Sequence, residues 1–135
     1  MAGSVTTNED LFEKLSALAN KVVADKRWQT ENDDLAVEVF GTILYGYALA
    51  VGRFMMLLDD ENIRTAVTQC LVERVGVAKK WAIGLVEEAA RAAFDEKYHP
   101  GHHKLVGVGH EYMSVNKLKK LVDNVFANIE SVRNW

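Results

Sequence analysis

The stretch Val39-Phe40-Gly41-Thr42-Ile43-Leu44-Tyr45-Gly46-Tyr47-Ala48-Leu49-Ala50-Val51-Gly52 decides the fold. These 14 residues carry no charge and lie between Glu38 and Arg53. Their apolar side chains fall on every helical face rather than on one stripe, the mark of a helix surrounded by protein. Spanning a bilayer takes ~20 apolar residues, so a buried central helix is expected, with no membrane association. Leu35 upstream and Phe54, Met55 and Leu58 downstream extend the same apolar pattern. Gly41, Gly46 and Gly52 interrupt it, and each costs roughly 0.5–1 kcal/mol in a helix interior. Close approach of a neighbouring helix is the compensation expected for that cost. Arg53 would be expensive if buried unpaired. It is expected at the surface or beside a carboxylate such as Glu73, Glu87 or Glu88.

Working outward, the spacing predicts amphipathic helices on both sides. Thr6 and Thr7 stand three residues before Glu9 and Asp10, the spacing of a capping box. Leu11, Leu15, Leu18 and Val22 then mark one stripe over residues 8–27. Thr30 and Asp33 are set to start the central helix, and Asp59 and Asp60 the next, where Ile63, Val67, Cys70, Leu71 and Val75 form a stripe as far as Gly76. Val77, Trp81, Leu85, Val86, Ala89 and Phe94 define a fourth stripe reaching about Tyr98. Ser114 is placed to cap a last helix through Leu118, Leu121, Val122, Val125, Ile129 and Val132. Between the fourth and last stripes, residues 99–113 hold Pro100, Gly101, Gly107 and Gly109 and read as a loop. The expected fold is all-α: a compact bundle of about five helices with one long Gly/His-rich loop before the C-terminal helix. Residues 1–135 form one domain, with 1–7 a flexible N-terminus.

Charge and cysteine content narrow the function classes. The chain has 16 Lys and Arg against 19 Asp and Glu, a net charge of −3. That balance does not suggest a nucleic-acid partner, which a basic surface would announce. A single cysteine, Cys70, provides no disulfide framework, and its place on an apolar stripe makes it a core residue. No signal peptide is recognisable, and a cytoplasmic location is expected.

The one dense set of metal-ligand residue types is His99, His102, His103 and His110, flanked by Asp95 and Glu111. Imidazole nitrogens with a carboxylate can hold a divalent transition metal, although no His-Glu-x-x-His spacing is present. Gly107-Val108-Gly109, near Lys104 and Lys117, is a weak phosphate-cradle pattern. Glu87-Glu88 and Asp59-Asp60-Glu61 read as solvated faces or caps rather than catalytic pairs. No serine–histidine or cysteine–histidine arrangement has a catalytic spacing, and the residues alone do not decide for or against an enzyme.

Three functional readings emerge. The first is a small soluble helical protein acting by protein–protein interaction, as an acidic inhibitor, immunity-type or adaptor module. It would bind another protein, or a second copy of itself, through Glu9, Asp10, Glu31, Asp33, Asp34 and the aromatic anchor Trp28, and it needs no cofactor. Trp81 and Trp135 are further anchor candidates. The alternative is a metal-binding enzyme or sensor built on the 99–110 histidines. A weaker third reading gives the central-helix glycines, with Met55 and Met56, an adaptable cavity for an apolar ligand.

Overall fold

The computed structural model describes residues 8–112 and 118–134, apart from the side chain of Glu31. Seven α-helices and no strand are present among them: α1 Asn8–Ala24, α2 Lys26–Glu31, α3 Asp34–Ala50, α4 Asp60–Cys70, α5 Lys79–Phe94, α6 Pro100–Glu111 and α7 Leu118–Arg133. The caps expected from Thr6, Thr7 and Ser114, the 1–7 segment, Lys117 and the Trp135 anchor lie outside the described residues. All-α architecture is thus observed, with more helices than the five expected.

The quoted stretch is the axis of the molecule. Every residue from Val39 to Gly52 is buried, and α3 touches α1, α4, α5, α6 and α7. Asp34–Met55 is long and apolar enough to cross a membrane by length and composition, but 89% of its apolar window is covered by the rest of the fold. Asp33 caps α3, its Oδ1 accepting from the Ala36 N–H at 3.0 Å. Thr30 instead turns its hydroxyl to the Lys26 carbonyl inside α2. The first helix is shorter than its stripe implies. Asp25 accepts from the Arg27 N–H and starts α2, which carries Trp28 inward to an edge-on contact with Phe40 at 5.8 Å.

The main correction concerns residues 99–113. Expected as a loop, this stretch instead forms the helix α6 over Pro100–Glu111, and residue 113 lies outside the described residues. Pro100 occupies the first helical position, where its missing N–H is no loss and its fixed φ suits the helix. His99 is the N-cap, with Nδ1 accepting from the His102 N–H at 3.0 Å. The glycines follow from packing. A Cβ on Gly46 would fall on the Val106 carbonyl, and one on Gly109 would fall on the Ile43 carbonyl and lie 2.6 Å from the Tyr47 nitrogen. The backbones of α3 and α6 therefore touch directly, and tertiary contact outweighs the weak helix propensity of α6. Gly41 and Gly52 serve the same purpose toward Leu85 and Ile63, so the central glycines are filled by neighbours and open no apolar cavity.

Two helices end in widened turns. α3 continues as a π-helical turn, Val51–Met55, and α4 as another, Leu71–Val75. Each is followed by a residue in the left-handed region, Leu57 with φ 54° and Gly76 with φ 86°. Gly76 ends its helix without strain, whereas Leu57 does not.

Two glycines of α6 give opposite expectations. A Cβ on Gly107 would meet nothing within 4 Å. Gly107→Ala should therefore stabilise the protein by roughly 0.5–1 kcal/mol. Gly109→Ala forces two backbones apart and should cost at least about 1–3 kcal/mol. Urea unfolding of the two variants checks the sign of each change.

Candidate functional site

The histidines do not gather. α6 has 12 residues, so His99 and His110 stand about 16 Å apart along its axis. The His99 and His102 rings stack, with centroids 3.7 Å apart. His102 Nε2 lies 2.8 Å from Glu38 Oε1 while its Nδ1 is buried without a partner, an arrangement met by an Nε2–H donating to Glu38. His103 donates from Nδ1 to the Ala92 carbonyl at 2.9 Å. His110 stands edge-on to Phe54. Asp95 accepts from the Lys97 N–H, and Glu111 is exposed. Among the described residues, no three His, Cys, Asp or Glu side chains are placed to hold one metal ion. Gly107-Val108-Gly109 lies in the second half of α6 rather than before a helix start, so it does not form the expected phosphate cradle.

The acidic residues are also divided. Glu9 and Asp10 open α1, a 17-residue helix about 25 Å long; Asp33 and Asp34 follow its far end in the chain. Asp33 is clamped by Arg133, which donates from both terminal nitrogens, one at 3.0 Å. The side-chain bond from Arg133 and the backbone bond from Ala36 hold the Asp33 carboxyl down at about 2. Asp34 is exposed in the first turn of α3, and the Glu31 side chain lies outside the described residues. Trp28 is only 4% exposed and offers no anchor at the surface. Cys70 is fully buried, and burial pushes its thiol up to about 12, far from a nucleophile's range.

The structure instead assembles a site at the corner where α3, α5 and α6 end. A cleft of about 550 Å³ is lined by Arg53 and Phe54 of the π-helical turn, Phe94 of α5, and His103, Gly107 and His110 of α6. His103, Val106, Gly107 and His110 share one helical face at i, i+3, i+4 and i+7. Phe54 is 63% exposed and Phe94 61% exposed. The expectation that both belong to the core stripes is corrected. The widened turn moves Phe54 and Met55 out of the α-helical register, and Phe94 is the last residue of its helix. Arg53 is at the surface, as one of its two expected placements has it, with its guanidinium 5.7 Å from the Phe94 ring centre rather than beside a carboxylate.

Two other clefts are less suited to a ligand. The α4–α5 groove, also about 550 Å³, is edged by Glu61, Arg64, Glu73, Lys79 and Glu87, charges of both signs on ordinary helix surfaces. A third, about 460 Å³, lies between Trp81, Gly84 and the His102–Glu38 pair. Comparison with protein-family models, curated proteins and solved structures gives no match.

The Asp33–Arg133 clamp is testable by pH. Its contribution is present above the ordinary carboxylate value near 4 and is lost as pH falls toward about 2. Asn at position 33 keeps the helix cap without the charge. Wild type should be slightly more stable than Asp33→Asn at neutral pH, by a salt-sensitive margin that closes over that acid window. Thermal unfolding from pH 7 to pH 2 measures it.

Proposed function

We propose that this chain is a small helical interaction module that works by binding another protein, and that the contact is made by the apolar corner after α3. One observation carries this reading: Phe54, Met55 and Leu57 are 63%, 57% and 86% exposed within four residues of sequence. An exposed apolar group of this kind on a folded domain is the usual mark of an interaction surface. The fold does not need the Leu57 side chain. It is almost wholly in water, and its left-handed backbone costs about 1–3 kcal/mol for a residue other than glycine. The same chain closes α4 with glycine in the corresponding conformation, so the strain is not a requirement of the turn. The partner in this reading presents apolar side chains. The acidic residues are secondary, since Asp33 is already paired within the fold.

Leu57→Asn separates the contributions to fold and to binding. Asparagine tolerates the left-handed region, so the variant should be more stable than wild type by roughly 1 kcal/mol. A protein captured by the wild-type chain and then purified should bind Leu57→Asn and Phe54→Ser at least about tenfold more weakly. Asp34→Asn should leave that affinity unchanged. Capture of no partner, or equal affinity for wild type and Leu57→Asn in titration calorimetry, overturns the reading.

A further inference from the structure

The geometry points to a second role for the same corner: the Arg53 cleft binds a small organic monocarboxylate with an apolar, preferably aromatic, stem. This goes beyond the protein contact proposed above, because the cleft takes only Phe54 from that apolar group and neither Met55 nor Leu57. Leu57 is absent from its wall, and no carboxylate is present there.

The wall is mostly apolar, with Leu49, Phe54, Ala93, Phe94 and Val106, and its polar groups are Arg53, His103 and His110. A concave, largely apolar surface of this volume with few convergent polar groups is the usual form of a small-molecule site. Every chargeable side chain in it is basic, although acids outnumber bases in the chain as a whole.

The polar groups differ in how far the fold already uses them. His103 spends its Nδ1–H on the Ala92 carbonyl. Arg53 has only the flat face of its guanidinium against Phe94 and no carboxylate or carbonyl partner among the described residues. Its edge, with donors in a planar fork, remains available, and that fork matches a carboxylate. Among the described residues, His110 has the edge-on contact with the Phe54 ring and no hydrogen bond. The exposed Phe54 and Phe94 rings supply apolar and aromatic contact for a stem.

The number of fixed cations selects among anions. The C-termini of α3, α5 and α6 meet at this corner, and each presents a partial negative charge of about half a unit. Arg53 sits in the last turn of the α3 extension, where its charge offsets part of that negative potential. A dianion such as a phosphate ester would face three unfavourable dipole ends with one fixed cation. The free edge of one guanidinium matches one carboxylate, and the described wall holds no second fixed cation for a further negative charge. Gly107 keeps the wall open, because it carries no side chain and nothing fills the space where one would stand.

The test is an amide-resolved NMR titration of the full chain with 4-phenylbutyrate, its neutral amide 4-phenylbutanamide, and the cation 4-phenylbutylamine. The acid should shift the amides of Arg53, Phe54, Phe94, Gly107 and His110, and bind at least about fivefold more tightly than the neutral amide. Arg53→Met, a change at an exposed side chain, should make acid and amide bind alike. Gly107→Ala should weaken both while leaving the fold intact. Equal binding of acid and amide to wild type, shifts at another surface, or no shift with the acid at about 10 mM overturns the inference. Leu57→Asn should not change acid binding, so failure of the protein-contact reading and failure of this one are separately visible.

Discussion

The direct contact between the backbones of α3 and α6 is the constraint on which the rest of the structure depends. Gly46 and Gly109 remove the two side chains that would hold these helices apart, and Val106 and Ile43 carbonyls occupy the space released. A helix pair at this separation leaves no room for a bulkier residue at either position. It also recovers in packing what the glycines lose in propensity. The contact explains why α6 is a helix despite holding three glycines and a proline. An isolated segment of 12 residues of that composition would not remain helical in water.

The same contact places the candidate site. Once α6 lies against α3, its face through His103, Val106, Gly107 and His110 turns toward the end of α3. α5 packs against both helices and brings Phe94 to the same place. The ends of the three helices then converge, and the π-helical turn Val51–Met55 widens α3 where it meets them. Arg53 and Phe54 are delivered into the cleft by that turn, while Met55 and Leu57 are turned to solvent. Neither proposed role rests on the histidines acting together. Packing of α6 has distributed them to a cap, a carboxylate, a carbonyl and an aromatic edge.

Much of this was legible in the sequence, and what was not has identifiable causes. The uncharged run at 39–52 gave the buried axis, and its glycines pointed to close helix approach, because both follow from local composition. Residues 99–113 read as a loop because Pro and Gly weigh against a helix, and the α3 backbone that makes them favourable leaves no local mark in the sequence. A proline at the first helical position and a breaker look alike in sequence until the cap is known. Had the segment been read as a helix, the spacing of His103, Val106, Gly107 and His110 would have marked one face. Phe54 and Phe94 fit the core stripes in sequence because a 3.6-residue period carries no sign of a widened turn or of the last residue of a helix. Trp28 follows a stripe that predicts one helix over 8–27 and so reads as an anchor past its end, whereas Asp25 caps a second short helix, α2, which carries it inward.

The glycines finally divide by the reason for their presence. Gly41, Gly46, Gly52 and Gly109 each hold a position where a Cβ would collide with a neighbour, and Gly76 holds a left-handed one. Gly84 and Gly107 answer to neither need: each lies within a helix, in an ordinary backbone conformation, with empty space where a side chain would be. Each costs the fold roughly 0.5–1 kcal/mol that alanine would return. Both line clefts, Gly84 beside Trp81 and Gly107 beside Arg53 and the two phenylalanines. Stability alone gives no reason for these two residues, whereas an open cleft wall does. At the Arg53 corner that wall coincides with exposed rings and with a guanidinium edge that has no partner among the described residues, and Leu57, close by in sequence, adds a second departure from what the fold itself requires. Strain and lost helix propensity thus fall together at one end of the molecule, where the surface is apolar and the spare donors are basic.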